Sequence, residues 1–419
     1  MNYKKWRNGN RITLLENGEE FFPRVFHTIK KSKISILLET FHIFEDEVGV
    51  ELRNVLLEAA QRHIYIKIMV DGYGSSELSD HFIQELTQAG VHFIYYNPCS
   101  RILGKCINIF RRLHRQTIII DKEIAFIGGI NFSAEQLTNY GPTAKQDYAV
   151  EITGPIVDDI WSYTYNAMKC KSLLHLEKKK INYSYFKPSL NNNLNRAIYI
   201  WRDNDKHRDD IEQSYITMLQ EAQHEVIIAN AYFFPGDRII QNMRTAARRG
   251  VKIKLIVQGK ADLHFANIGT RLLYNYLIES GIEIYEYFRR LLHSKVAIKD
   301  DKWSTIGSSN LDPLSLSLNL EANLIIFDRK FNNELRTKLN QIIKNDCVKI
   351  DKKYLSERSY WQITKNILLL PVVLPFLRYF PGILNWLPFC RFTKLKLMKP
   401  SYKSPKLVLN HNSHNRNKE

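Results

Sequence analysis

The segment HSKVAIKDDKWSTIGSSN, which begins at His293, places several side chains that can handle phosphate at regular intervals. On a β-strand, positions i and i+2 face the same side, so His293 and Lys295 are expected to point together from an apolar run. A histidine can attack phosphorus or move a proton near neutral pH, and a lysine beside it can stabilise charge on phosphate oxygens. Gly307 and Ser308 end a second predicted strand, and Asn310 adds a neutral donor. Together these residue types suit a cluster of phosphoryl oxygens.

The same pattern occurs earlier in the chain, because HRQTIIIDKEIAFIGGIN, from His114 to Asn131, aligns with it without gaps. The shared residues are His, Ile, Asp, Ile, Gly and Asn, so the repeat preserves more than core packing. A lone histidine at the start of a strand is more often structural, whereas two in matched frames favour chemistry. Two histidines at one site would allow a two-step displacement through a phosphohistidine, with one as nucleophile and one as acid or base.

The first copy departs from the second at Gln116, which stands where the second copy has Lys295. Glutamine keeps a hydrogen-bond donor but lacks the charge, so both weakened and abolished catalysis are open expectations. Arg115, its neighbour, is expected to point to the opposite face of the strand and so not to replace the lost charge. We predict that Gln116 nevertheless faces the phosphate site.

Each copy lies within a longer repeat that predicts an α/β fold. The segment AAQRHIYIKIMVDG (59–72) matches AARRGVKIKLIVQG (246–259), and LTQAGVHFIYYN (86–97) matches LIESGIEIYEYF (277–288). Amphipathic helices that lead into β-branched strands are typical of α/β sheets. We therefore predict two homologous α/β sandwich halves, related by pseudo-twofold symmetry and sharing one active site. The predicted units are a first half (1–170), a polar linker (171–196), a second half (197–350) and a C-terminal segment (351–419).

The pattern His-x-Lys-x4-Asp-x6-Gly-Ser-x-Asn of the second copy, repeated in the first with Gln116 and Gly129 at the Lys and Ser positions, resembles the phospholipase D superfamily over residues 1 to about 360. The stretches YGPTAKQDYAV, NAYFFPG and GSSNLDPLSLSLNLEAN are similar to those of bacterial cardiolipin synthases, in particular the B type. The resemblance implies a phosphatidyltransferase that joins two phosphatidylglycerol molecules into cardiolipin, releases glycerol and needs no metal or other cofactor. It further implies that Asp147 and Glu321 orient the histidines, and that His114 is the nucleophile and His293 the acid.

The predicted site therefore has three groups of residues. The catalytic group is His114, Asp121, His293, Lys295 and Asp300; the phosphate-binding group is Gln116, Gly128, Gly129, Asn131, Gly307, Ser308 and Asn310; the histidine-orienting pair is Asp147 and Glu321. Asp121 and Asp300 end their strands, so a structural role for them is as plausible as a chemical one. No His, Cys or carboxylate residues show the spacing of a zinc site.

The charge and the C-terminal composition point to an anionic membrane surface. The 419-residue chain has a formal net charge of +17, which suits phospholipid headgroups or nucleic acid. Residues 366–389 are apolar but contain four prolines and Arg378, so short helices lying in the membrane interface fit better than a spanning helix. The basic tail beyond them would hold an anionic leaflet. We predict a peripheral protein on the cytoplasmic face of the inner membrane that binds phosphatidylglycerol.

Two other functions would use the same residues. A nuclease or phosphodiesterase of the same superfamily would explain the positive charge by nucleic acid, although the apolar C-terminal segment favours lipid and no nucleic acid partner is expected. A lipid-binding homologue with weakened catalysis would explain Gln116, although the second copy of the motif has all its residues. The sequence does not indicate any protein partner.

Overall fold

The structure is a computed structural model, and it describes residues 6–99, 101–102, 105–106, 110–169, 195–260, 270–271, 273–351 and 394–399. The strands are β1 Arg7–Glu16, β2 Ser35–Thr40, β3 Tyr65–Asp71, β4 His92–Tyr96, β5 Arg101–Ile102, β6 Lys105–Cys106, β7 Gln116–Ile120, β8 Ile124–Gly128, β9 Lys145–Gln146, β10 Tyr148–Thr153, β11 Asn195–Arg202, β12 Glu225–Asn230, β13 Lys252–Gln258, β14 Glu283–Tyr287, β15 Leu291–Leu292, β16 Lys295–Lys299, β17 Trp303–Gly307, β18 Glu321–Phe327, β19 Cys347–Ile350 and β20 Leu395–Leu397. The α-helices are α1 Asn17–Lys30, α2 Glu47–Gln61, α3 Asp80–Gln88, α4 Ile156–Ala167, α5 Asp210–Glu221, α6 Asp237–Arg248, α7 Tyr274–Ile278, α8 Pro313–Ser317 and α9 Arg329–Asp346.

A single 16-stranded sheet runs through both halves in the order β19-β14-β13-β12-β16-β17-β18-β11-β1-β10-β8-β7-β2-β3-β4-β20. This order is symmetric about the junction of β11 with β1, because β18 corresponds to β10, β17 to β8, β16 to β7 and β12 to β2. Each half contains three neighbouring parallel strands, β2, β3 and β4 in the first half and β12, β13 and β14 in the second. The strand that follows the motif histidine, β7 or β16, runs antiparallel to them. The predicted pair of homologous α/β halves is confirmed.

Helices cover both faces of the sheet, which explains why strands such as SILLET and QTIII are buried along their whole length. One apolar cluster lies under α1, α2 and α3 in the first half, and another lies under α5, α6 and α7 in the second. The third cluster joins α4 and α9 to the opposite face of both halves, with Ile160 and Leu335 among its fully buried side chains. Because the halves share this third core, the strand ends that carry the two motifs are held in fixed relation.

The predicted unit boundaries need two corrections. Strand β11 begins at Asn195, inside the predicted linker, whose residues 171–194 lie outside the described ranges. At the other end, β20 pairs antiparallel with β4, just as β19 pairs with β14, so part of the predicted C-terminal segment completes the sheet of the first half. Three isolated residues carry too little pattern for this strand to be read from sequence.

The predicted membrane segment, residues 366–389, lies outside the described ranges. Within those ranges, no helix combines the length and the apolar character needed to cross a membrane.

We expect the free energy of unfolding to be about 2–4 kcal/mol lower for a chain that ends after residue 393 than for a chain that ends after residue 399. The shorter chain lacks β20, whose Leu395 and Leu397 pack on the shared core, and burying a leucine contributes about 1.5–3 kcal/mol when complete. It also lacks the hydrogen bonds from Asn97 N–H to Lys394 O (2.7 Å) and from Met398 N–H to Phe93 O (2.9 Å).

Urea unfolding of the two chains measures this difference. The chain ended after residue 399 is the matched control, because it removes only residues beyond the strand. Equal unfolding free energies would contradict a stabilising role for β20.

Candidate active site

The two motif histidines lie where segments from the two halves cross. His114 and His293 stand two residues before β7 and β16, respectively. They therefore lie beside the C-terminal ends of the parallel strands. The His114 N–H donates to Leu320 O of the second half, and the His293 N–H donates to Gln146 O of the first half, both at 2.9 Å. These reciprocal backbone bonds bring each histidine to a segment of the other half.

Each histidine is paired with a buried carboxylate from the opposite half. Oδ2 of Asp147 lies 2.6 Å from Nδ1 of His293, and Oε2 of Glu321 lies 3.1 Å from Nδ1 of His114. Both carboxylates are fully buried, whereas the histidine side chains keep 12% and 14% of their surface exposed. A carboxylate that accepts an Nδ1–H fixes the tautomer and leaves Nε2 to meet a substrate.

The predicted phosphate-binding glycines and Ser308 position these carboxylates instead of presenting N–H groups. A Cβ at Gly129 would lie 2.5 Å from Oδ2 of Asp147, so only glycine leaves room for that carboxylate. The Ser308 hydroxyl donates to Oε2 of Glu321 at 2.5 Å, and the carbonyl oxygen of Ser308 lies 3.1 Å from Nδ1 of His114. The N–H groups of Gly129 and Ser308 are used in backbone bonds to Tyr148 O and Ala322 O.

Gly128 and Gly307 end β8 and β17, and both are needed for close strand packing. A Cβ at Gly128 would lie 2.5 Å from the carbonyl oxygen of Tyr148, and a Cβ at Gly307 would lie 2.3 Å from that of Ala322. These glycines therefore let β10, which begins just after Asp147, and β18, which begins at Glu321, approach the motif strands.

Lys295 is the buried cation of the site. Its Nζ lies 2.9 Å from Nδ1 of His293 and 3.6 Å from Oδ2 of Asp147, and it donates to the His293 carbonyl oxygen. Burial lowers the pKa of Lys295 to about 8, although attraction to Asp147 and Glu321 opposes the shift. Because Lys295 interacts electrostatically with both acids, the two histidine–acid pairs belong to one site.

The two histidines have opposite electrostatic surroundings. Burial, and then repulsion from Lys295, lowers the pKa of His293 to about 3, despite its bond to Asp147. Burial also acts to lower the pKa of His114, but attraction and hydrogen bonding to Glu321 outweigh it and raise that pKa above the usual 6.5. The surroundings therefore favour the neutral form of His293 and the imidazolium form of His114.

Gln116 contacts the motif but does not reproduce the contacts of Lys295. Its Nε2 donates to Oδ1 of Asn131 at 2.9 Å, and its Oε1 is buried with no partner among the described residues. Arg115 is held on the other side by Oε1 and Oε2 of Glu39, at 2.8 and 2.9 Å, so it does not supply the missing charge. Asn310, the counterpart of Asn131, is also buried, and its Oδ1 has no partner in the described part of the chain.

The structure does not bring Asp121 and Asp300 to this site, so their inclusion in the catalytic group was wrong. Both stand at the far ends of the motif strands, with positive φ angles of 55° and 47°. The Asp121 carboxylate accepts the N–H groups of residues 33–35, and the Asp300 carboxylate accepts those of residues 223–225. Each aspartate thus ties a strand end to the chain that enters the neighbouring parallel strand.

Two charged residues near the site were not singled out from sequence. Asp312 is attracted to His114, and burial raises the pKa of its own carboxyl to about 6. Lys145 repels both His293 and Lys295, and its Nζ lies 2.5 Å from Oε2 of Glu135. Extending the repeat alignment two residues past Asn310 would have placed Asp312 opposite Ser133. No group of three His, Cys, Asp or Glu residues in the described ranges is arranged to hold a metal ion.

Comparison with known proteins agrees with this two-copy arrangement. The family described as "Cardiolipin synthase, PLD-like domain" matches residues 25–163 and 215–343. The crystal structure of phosphatidylserine synthase from Haemophilus influenzae superposes with a TM-score of 0.65 at 15% identity, covering 89% of this chain and 94% of that one. The fold is thus that of the PLD-like proteins, and the PLD-like domain occurs twice in this chain.

Sequence relatives define the family within this class. Cardiolipin synthase B of Salmonella typhimurium is 53% identical over 383 residues, and that of Escherichia coli K12 is 52% identical over 385 residues; each match covers 91% of both chains. The chain belongs to the cardiolipin synthase family with PLD-like domains. The predicted membership of the phospholipase D superfamily is therefore confirmed.

Proposed function

We propose that this chain is a cardiolipin synthase, which transfers the phosphatidyl group of one phosphatidylglycerol to the hydroxyl of another and releases glycerol. The observation that carries the proposal is the crossed pairing of His293 with Asp147 and of His114 with Glu321 in a chain of this family. A site completed by both halves can present a nucleophile and an acid to one phosphorus atom.

The chemistry needs one unprotonated and one protonated histidine, and the opposite directions in which the pKa values of His293 and His114 are shifted support that combination. One histidine attacks phosphorus to form a phosphohistidine, while the other protonates the departing glycerol oxygen. In the second step the roles of acid and base reverse, and the hydroxyl of the acceptor lipid attacks the same phosphorus. No step requires a metal or another cofactor.

Charge on the phosphate oxygens would be stabilised by Lys295 and by the amide groups of Asn131 and Asn310. In a buried site such preorganised donors are worth more than in water, because no solvent has to reorient during the reaction. Gln116 belongs to this group through its bond to Asn131. Gly128, Gly129, Gly307 and Ser308 act in this proposal through the strands and carboxylates they position.

We further propose that the protein acts as a peripheral protein at an anionic membrane surface on the cytoplasmic side. The formal net charge of +17 supports this, since the basic residues would be attracted to anionic headgroups. Phosphatidylglycerol, the proposed substrate, is itself such a lipid. Nucleic acid remains the competing polyanion, and a phosphodiesterase acting on it would use the same histidines.

Purified protein added to phosphatidylglycerol vesicles is expected to give cardiolipin and free glycerol in equal amounts. His114→Ala and His293→Ala should each lower turnover on the order of 10⁴-fold, and the double variant should lose little more, because the two residues act as a unit. His81→Ala is the matched control, since its side chain is 76% exposed on α3.

Product analysis by thin-layer chromatography and a glycerol assay measures both products, and digestion of DNA is measured in parallel. Hydrolysis of DNA without cardiolipin formation would contradict the proposed substrate. Independent, multiplicative losses in the double variant would contradict a shared site.

Gln116→Lys is expected to raise turnover, measured on phosphatidylglycerol vesicles at the pH of maximal activity. A donor aimed at a developing oxyanion is typically worth about 3–4 kcal/mol, and a charged donor is roughly twice as strong as a neutral one. Restoring the ammonium should therefore contribute about 1.5–2 kcal/mol, or roughly ten- to thirty-fold in rate.

The opposing expectation is that the site has adjusted to a neutral side chain, so that a lysine would be buried without partners. Gln116→Met, which removes the donor at similar length, serves as the control and should be slower than the natural chain. An unchanged or slower Gln116→Lys variant with the fold intact would contradict a phosphate-binding role for position 116.

A further inference from the structure

The residue before each motif histidine bonds through its backbone N–H group to a side chain at the end of a central strand. Leu113 N–H donates to Oδ2 of Asp71 at 2.8 Å, and Leu292 N–H donates to Oε1 of Gln258 at 2.6 Å. Asp71 ends β3 and Gln258 ends β13, at matching positions of the repeat. These two side chains, here called the tethers, hold the residue before the histidine in the same way in both halves.

The N–H group of each histidine itself bonds in the other direction, to the opposite half. His114 N–H donates to Leu320 O and His293 N–H donates to Gln146 O, and both acceptors immediately precede the orienting acids. Each histidine segment is thus bonded on one side to the acid-bearing segment of the other half and on the other side to its own sheet. Because the two bonds leave from adjacent residues, together they fix the position of the imidazole relative to its acid.

In the first half the tether carries a charge that is balanced locally. The fully buried Asp71 carboxylate also accepts Nη1 of Arg112 at 3.2 Å and the N–H groups of Tyr73 and Gly74 at 2.8 and 3.0 Å. The Arg112 side chain is 5% exposed and donates further to the carbonyl oxygen of Asn97 at 3.3 Å. Burial raises the pKa of Asp71, whereas attraction to Arg112 and these N–H groups opposes the shift.

In the second half the tether is neutral. Gln258 stands in place of Asp71, and Leu291 stands in place of Arg112 when the repeats are aligned through their histidines. The Gln258 side chain is buried, and its Nε2 has no partner among the described residues. Removing one member of a buried ion pair leaves the other charge uncompensated, which explains why the carboxylate and the guanidinium occur together in one half and are both missing from the other.

We propose that Asp71 and Gln258 are positioning residues that hold each motif histidine against the acid of the opposite half. The charged pair of the first half and the neutral pair of the second half are interchangeable forms of this tether. The proposal rests on the proposed phosphatidyl transfer, since that reaction needs both histidines at one phosphorus atom. Misplacing a catalytic group by about 1 Å can cost about 10²-fold in rate, and a strand end in the packed sheet is a rigid anchor against such movement.

The neutral tether is tested with Gln258→Met, which removes the acceptor oxygen at similar side-chain length. On phosphatidylglycerol vesicles, kcat should fall about 10- to 100-fold while KM stays within about twofold, because the tether acts through the histidine and not on the substrate. Gln88→Met is the matched control, since Gln88 is exposed at the end of α3. An unchanged kcat in Gln258→Met, or an equal loss in the control, would overturn the positioning role.

The charged tether is tested by exchanging it for the neutral one. Asp71→Gln alone leaves Arg112 buried without its anion, and Arg112→Leu alone leaves Asp71 buried without its cation, so each should lower kcat about 10- to 100-fold. The double variant carries the pair found in the second half and should return to within about threefold of the natural chain. A double variant that is no more active than the single variants, or that does not fold, would overturn the interchangeability of the two pairs.

The NMR resonances of the two imidazole Nδ1–H protons separate positioning from general loss of stability. Gln258→Met should alter the His293 resonance and leave that of His114 largely unchanged, because only the segment before His293 loses its acceptor. The double variant at Asp71 and Arg112 should show both resonances close to those of the natural chain. Equal changes at both histidines in Gln258→Met would mean that the substitution loosens the whole site, and would overturn the tether.

These measurements do not depend on the stability of one variant or on the proposed reaction. If Gln258→Met does not fold, the exchange in the first half decides, since recovery in the double variant supports the tethers and its absence overturns them. The resonances are recorded without substrate, so a natural chain that fails to form cardiolipin would contradict the proposed function, while the spectra would still test the tethers.

Discussion

The crossed pairing of each histidine with an acid from the other half is the interaction on which the rest of the structure depends. Neither half holds a complete set, because His293 needs Asp147 and His114 needs Glu321. Buried carboxylates are costly unless they are paired and hydrogen-bonded, so the site assembles only if both halves meet in register. The joined sheet and the core shared by α4 and α9 provide that register.

Gly129 and Ser308 of the motif help to hold the two acids beside the histidines. Gly129 leaves space for the carboxylate of Asp147, and Ser308 bonds the carboxylate of Glu321. The two copies use different side chains for one task, which is to fix an acid behind a histidine. The motif pattern suggested phosphate binding for these residues, because the acids that they position lie outside the motif in sequence.

Much of the fold and part of the site could be predicted from the chain alone. The gapless repeat indicated two α/β halves and two histidines at one site, since matched polar residues at fixed spacing are hard to explain by packing. The orienting acids lie outside the gapless repeat, so only the family resemblance indicated them. Asp121 and Asp300 misled because a repeated polar residue can be conserved within a repeat for its backbone contacts, here at strand ends with positive φ. The strand β20 and the charge at Asp312 depend on long-range contacts that no local pattern records.

The two motif histidines differ in their electrostatic surroundings. Burial and repulsion from Lys295 favour the neutral form of His293, whereas attraction and hydrogen bonding to Glu321 favour the imidazolium form of His114. A symmetric pair would have to divide one proton between two equal sites, and only part of the population would be ready to react.

The crossed pairing itself is tested most directly by NMR of the imidazole Nδ1–H protons, assigned with His114→Ala and His293→Ala. We expect Glu321→Gln to alter the His114 resonance and leave that of His293 largely unchanged, and Asp147→Asn to do the reverse. A change confined to the histidine of the same half as the substituted acid would contradict the crossed site.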